Sequence, residues 1–186
     1  SSYSFAVTKS SDGNYSFNLT QTDASANVSP QTSVSWTRDT LAPATVVVTS
    51  PNSSPFGSSN TSLVLNGSCE TGATVYLSGD AAANVLCAAS SFSFTVNKTL
   101  DQTYNFNLLQ TDVAGNSSSS VGFSWIKDSS TPASPALILP ATNPYNSNTS
   151  TITISGTCVN GFTVEISGSY SSSAICSAGS FSFIDM

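Results

Sequence analysis

The chain has 186 residues, 39% of them apolar, and a net charge of −6 with only 8% charged residues. That length admits one large domain or about two small ones, and the apolar content supports a buried core rather than a disordered chain. The four basic residues, Lys9, Arg38, Lys98 and Lys127, are too few and too scattered to neutralise a phosphate backbone, which argues against a nucleic-acid partner.

From the amino terminus, Ser1-Ser2-Tyr3-Ser4-Phe5 reads as a strand, and Tyr15, Phe17 and Leu19 as a second. Trp36 lies on a strand that ends at Arg38-Asp39, and Pro43 begins the next unit. Leu63 and Leu65 alternate with polar neighbours, as do Val75 with Leu77, then Phe92, Phe94 and Val96, then Tyr104, Phe106 and Leu108. Period-two alternation turns one set of side chains toward a core. Glu70-Thr71-Gly72, Ser78-Gly79-Asp80 and Ala114-Gly115-Asn116-Ser117 punctuate these runs as turns. Trp125 and Pro132 repeat the arrangement of Trp36 and Pro43, and the chain closes in the strand of Phe181 and Phe183. No helical stripe interrupts the pattern, and no apolar run approaches the ~20 residues of a membrane helix. No signal peptide is visible, so an export signal is expected upstream of this segment.

A single offset of 89 positions relates the chain to itself. Ser1–Phe5 returns at Ser90–Phe94 and again at Gly179–Phe183. Tyr15, Phe17, Leu19, Gln21, Thr22, Asp23 and Asn27 match Tyr104, Phe106, Leu108, Gln110, Thr111, Asp112 and Asn116. Trp36, Asp39 and Pro43 match Trp125, Asp128 and Pro132, and Gly67, Cys69, Gly72, Val75 and Gly79 match Gly156, Cys158, Gly161, Val164 and Gly168. Six to eight short strands per unit, with turns every eight to twelve residues, predict an all-β protein of tandem immunoglobulin-like β-sandwich repeats of about 89 residues. A small closed barrel is the other architecture that fits. Tyr15 and Tyr104 each follow a turn. Each is read either as a core aromatic or as a corner tyrosine whose hydroxyl returns to the turn backbone.

The four cysteines form two equivalent pairs, Cys69 with Cys87 and Cys158 with Cys176, each 18 residues apart. The sequence has no His and no Cys-x-x-Cys, so zinc and redox readings lose their usual signatures. Disulfides and an oxidising compartment are expected, with two buried thiols per repeat as the alternative. Closing such a loop stabilises by about 3 kcal/mol in the chain-entropy model.

The repeat sets the boundaries. Residues 1–39 correspond to the second half of a repeat, 40–128 to a complete one, and 129–186 to the first half of another. A half sandwich exposes an apolar face and unpaired strand edges. Either the segment is a window from a longer chain, or the two halves complement each other between chains by strand addition, head to tail.

Gln110-Thr111-Asp112-Val113-Ala114-Gly115-Asn116-Ser117, followed by a strand and then Asp128 and Pro132, resembles the bacterial Ig-like repeats of large surface adhesins and related extracellular fibres. Gly67 through Gly72-Ala73-Thr74-Val75 fits their second and third strands. The resemblance covers the central repeat fully and its flanks in part. The core motif decays to Thr22-Asp23-Ala24-Ser25-Ala26-Asn27 in the first repeat, and the cysteine pairs depart from the family pattern. It implies a spacer that holds a binding tip away from the cell, or lateral assembly into a fibre. Its partners would be neighbouring Ig-like repeats, including other copies of the chain.

The resemblance also implies that calcium at repeat junctions is worth weighing. Asp39 and Asp128 precede the junction prolines, and Asp23 and Asp112 lie on loops that two strands bring near. Calcium takes six to eight oxygens, and the opposing expectation is that these carboxylates serve their own turn amides. Trp36 and Trp125 are expected to plug a core end or, with Pro43 and Pro132, to pack against the neighbouring unit. Stacking on sugar is the competing role, which would make the chain a carbohydrate- or receptor-binding module. The sequence has no residue constellation for an enzyme: no His to activate a serine, no predicted carboxylate pair, and no phosphate-loop spacing.

Overall fold

The computed structural model describes residues 2–184, and among them the chain is all β, with fifteen strands and no helix. It divides between Ser129 and Ser130 into two compact units. The first unit opens with a hairpin of β1 (Gly13–Leu19) and β2 (Thr32–Arg38), antiparallel from Gly13 opposite Arg38 to Leu19 opposite Thr32.

Eight strands follow: β3 (Val47–Ser50), β4 (Phe56–Ser58), β5 (Ser62–Ser68), β6 (Thr74–Gly79), β7 (Ala83–Leu86), β8 (Ser91–Asn97), β9 (Gln102–Thr111) and β10 (Val121–Lys127). They form a three-stranded sheet, β3-β5-β8, and a five-stranded sheet, β4-β10-β9-β6-β7. Each pairing is antiparallel except that of β4 with β10. The alternation read in the sequence decides which side chains face inward. Leu63, Leu65, Phe92, Phe94 and Val96 from one sheet meet Val75, Leu77, Tyr104, Phe106, Leu108, Phe123 and Trp125 from the other in one buried cluster. Two sheets sharing one core are the arrangement of a β-sandwich. Burying such side chains stabilises by roughly 1.5–3 kcal/mol each.

The second unit holds β11 (Ala136–Leu139), β12 (Thr153–Thr157), β13 (Thr163–Ile166), β14 (Ser172–Ile175) and β15 (Ser180–Ile184). Its sheets are β11-β12-β15 and β13-β14. They repeat β3-β5-β8 and β6-β7 at the same offset of 89. The core is correspondingly smaller: Val164, Phe181 and Phe183, with Ile154, Cys158, Ile166 and Ala174 against them.

One expectation is corrected. The opening segment, with its alternating Tyr3 and Phe5, forms no strand, and both rings are exposed. Its counterpart β8 holds its place by pairing with β5. Strand formation needs a hydrogen-bonded partner as well as alternation, and residues 2–10 have no ladder with any described strand.

Candidate functional site

The polar residues singled out by the repeat lie mainly where strands end, and the structure shows what occupies each. Cys69 and Cys87 are disulfide-bonded, as are Cys158 and Cys176. Cys69 follows β5 of the three-stranded sheet and Cys87 follows β7 of the five-stranded sheet, so the bond ties the two layers together. The Cys87 amide donates to the Ala73 carbonyl at 2.8 Å, and the Gly72 amide donates to the Cys87 carbonyl at 3.0 Å. In the second unit the Cys176 amide and the Phe162 carbonyl repeat this at 2.7 Å, and Gly161 with the Cys176 carbonyl at 2.9 Å. Two disulfides point to an oxidising environment.

The acidic residues act as turn clamps. Asp112 accepts the Asn116 amide at 2.8 Å and the Asn116 Nδ2 at 2.9 Å. Asp23 accepts the Asn27 amide at 2.9 Å, the Asn27 Nδ2 at 2.8 Å and the Ser25 amide at 2.8 Å. The side-chain bond from the asparagine, above all, holds each carboxyl below its ordinary range. Asp39 accepts the Leu41 amide at 2.9 Å, and its own carbonyl receives Asn116 Nδ2 at 3.1 Å, fixing the linker against the turn. The Asp128 amide donates to the Ser58 carbonyl at 3.1 Å. Among the described residues no three of His, Cys, Asp and Glu gather where a cation would sit. The structure thus places Asp23, Asp39 and Asp112 on turn amides and does not bring the four candidate metal ligands together.

A second carboxylate clamp escaped the sequence reading. Asp101 takes the Lys127 ammonium, the Ser129 amide at 3.0 Å and the Ser129 hydroxyl at 2.8 Å. The Lys127 hydrogen bond first, then Ser129, lowers the Asp101 carboxyl to about 2. Asp12 makes the equivalent set with Arg38 and Thr40, and the Thr40 hydroxyl leads in lowering its pKa. Each clamp closes the base of its hairpin, and that of Lys127 is buried. The other two basic residues sit over tyrosine rings: Lys98 is 5.0 Å from the centroid of Tyr104 and Lys9 4.9 Å from that of Tyr15.

Both tyrosines are corner residues. Tyr104 donates to the Leu100 carbonyl at 2.9 Å, and Tyr15 to the Ser11 carbonyl at 2.7 Å. Tyr104 lies 5.6 Å from Trp125 at 38°, and Tyr15 lies 5.6 Å from Trp36 at 37°. Trp125 is fully buried in the core of its own pair of sheets. Trp36 keeps 37% of its surface exposed. Pro43 is buried and Pro132 exposed.

Gln110 is the least expected residue. Fully buried at the end of β9, it accepts the Glu70 amide on Oε1 at 2.8 Å and donates from Nε2 to the Ala44 carbonyl at 2.6 Å. It therefore ties the incoming linker and the cysteine turn to one strand. Its repeat partner Gln21 is exposed. The 89-residue match marked the pair, but nothing in the sequence assigned the amide a partner.

No protein-family model matches the chain, and no curated protein matches it.

Proposed function

We propose that this chain is a structural repeat segment of an extracellular or cell-surface fibre, such as an adhesin stalk. In this reading its 89-residue units are immunoglobulin-like sandwiches like those of the bacterial adhesin repeats it resembles. The observation that carries the reading is duplication of scaffold contacts. The β1-β2 and β9-β10 hairpins share the same corner tyrosine, the same Tyr-Trp contact and the same Asp-Asn clamp. What repeats is the framework, as expected of a spacer whose product is length and stiffness. The acidic and basic side chains described above serve turns, hairpin bases and ring faces within that framework. Disulfides across the layers suit a stalk exposed to proteases and pulling. A spacer of this kind holds a binding tip away from the cell and carries no catalytic machinery of its own.

Immunogold labelling of unpermeabilised cells with antibody against the 186-residue chain tests the reading. Gold along thin surface fibres is expected. Labelling that appears only after lysis rejects it.

A further inference from the structure

The central repeat carries Asn-x-Ser/Thr triplets at Asn52, Asn60, Asn66, Asn97 and Asn116, and the fold treats them differently. Asn116 gives its Nδ2 to Asp112 at 2.9 Å and to the Asp39 carbonyl at 3.1 Å. Asn66 is half-buried within β5. Gly67 beside it is packed so closely that an added Cβ would strike the Val47 carbonyl and the Phe92 ring. In the Asn52 triplet, the Ser54 hydroxyl is taken by the Ser124 amide of β10 at 2.9 Å. Asn60 and Asn97 are free of such ties. Asn60 lies in the turn between β4 and β5, Asn97 is the last residue of β8, and both are exposed. Ser62 and Thr99, which carry the hydroxyls two positions on, are exposed as well. Among the described residues, none of these four side chains makes a hydrogen bond. The 89-residue offset sets Thr149 and Thr8 at the places of Asn60 and Asn97, whereas the Asn116 clamp returns at Asn27. The repeated framework therefore has no use for an amide at position 60 or 97.

We propose that Asn60 and Asn97 are acceptors for N-linked glycans. The donor class is an oligosaccharide carried on a lipid pyrophosphate. The asparagine Nδ2 bonds to C1 of the first sugar and gives up one proton. The bond from C1 to the pyrophosphate oxygen breaks, and the lipid pyrophosphate leaves. The hydroxyl of Ser62 or Thr99 completes the recognition triplet. Transfer of this kind occurs on exported chains, and the two disulfides point to an oxidising compartment. Geometry then decides which products keep the fold. A sugar on Asn116 removes a donor hydrogen from the Asp112 clamp, and one on Asn66 must stand against half-buried sheet. On Asn60 or Asn97 it displaces nothing. The two acceptors share one end of the sandwich: Asn97 is paired with Ser62, and the Lys98 amide donates to the Thr61 carbonyl at 2.8 Å. The Asp128 amide meets the Ser58 carbonyl at that end, so the glycans stand where the chain leaves β10. With only 8% of residues charged, neutral polar groups solvate this surface, and bulky glycans extend that shell.

Glycopeptide mapping of the chain purified from the cells that produce it tests the proposal. An amidase that strips N-glycans converts each carrier asparagine to aspartate, and heavy-oxygen water marks the site by mass. Marks are expected at Asn60 and Asn97 and at neither Asn66 nor Asn116. The double variant N60Q/N97Q should lose the shift in gel mobility that the same amidase removes from the wild type. Both side chains are exposed and unengaged, so this variant should still form both disulfides. Chain in which Asn60 and Asn97 are unmarked, or in which Asn66 or Asn116 is marked in their place, overturns the proposal. Either result leaves the spacer reading to its own test by surface labelling, so the two failures are distinguishable.

Discussion

Gln110 Nε2 donates to the Ala44 carbonyl at 2.6 Å, joining a strand end to a linker 66 residues earlier in the chain. The same amide accepts from the Glu70 backbone on its oxygen, so one buried side chain serves two backbone groups. Gln110→Ala leaves both without that partner. An unmade buried hydrogen bond costs about 1–3 kcal/mol, and urea denaturation should show a loss of at least that size. Gln21→Ala, at an exposed position, should stay within about 0.5 kcal/mol when measured on dilute monomer.

Trp125 and Trp36 occupy the same repeat position with different burial. Trp125→Ala opens a cavity in the shared core and should cost about 3–5 kcal/mol. Trp125→Phe should cost far less, because the buried Nε1 makes no hydrogen bond that would be lost. Trp36→Ala in monomeric chain should lower stability less than Trp125→Ala. Chemical denaturation of the three variants checks the order.

Acid should unfold the first unit through its clamps. Asp101 titrates at about 2 in the folded chain, and Asp12, Asp23 and Asp112 are also lowered, against an ordinary aspartate value near 3.9. Folded pKa values below the unfolded ones mean that the unfolded chain binds more protons as pH falls. The stabilisation is therefore complete above about pH 4 and is lost as pH drops toward 2. With no His in the sequence, the melting temperature should be nearly flat from pH 5 to 8. Asp101→Asn should reduce stability at neutral pH, since Lys127 remains buried, and should shallow the acid limb. Thermal melts across the pH series read both effects.

The Cys69–Cys87 bond closes a loop of 18 residues between the layers. Replacing both cysteines with alanine should cost about 3 kcal/mol in the chain-entropy account. A guanidinium titration of that double variant gives the number directly.

The strands of the central repeat were legible because their side chains alternate with a period of two, so Leu63, Leu65, Phe92, Phe94, Tyr104 and Phe106 announced one buried face. The cysteine pairing was legible for a different reason, since the same spacing occurs twice. Gln110 was not, because an amide at the end of a strand looks like any solvent-facing polar residue until the linker folds over it. Lys127 was obscured in the same way: it follows Phe123 and Trp125 on the inward face of β10, but its partner Asp101 is 26 residues away. The opening segment failed in the opposite direction. Tyr3 and Phe5 alternate as a strand should, yet pairing is non-local, and alternation does not reveal whether a partner strand is present.

Amide hydrogen exchange probes most directly whether the central repeat is the rigid scaffold of this account. Residues 74–79 and 102–111, paired in the five-stranded sheet, should show the strongest protection, and residues 2–10, which lie in no strand, the weakest. Protection of 74–79 and 102–111 no greater than that of 2–10 would contradict it.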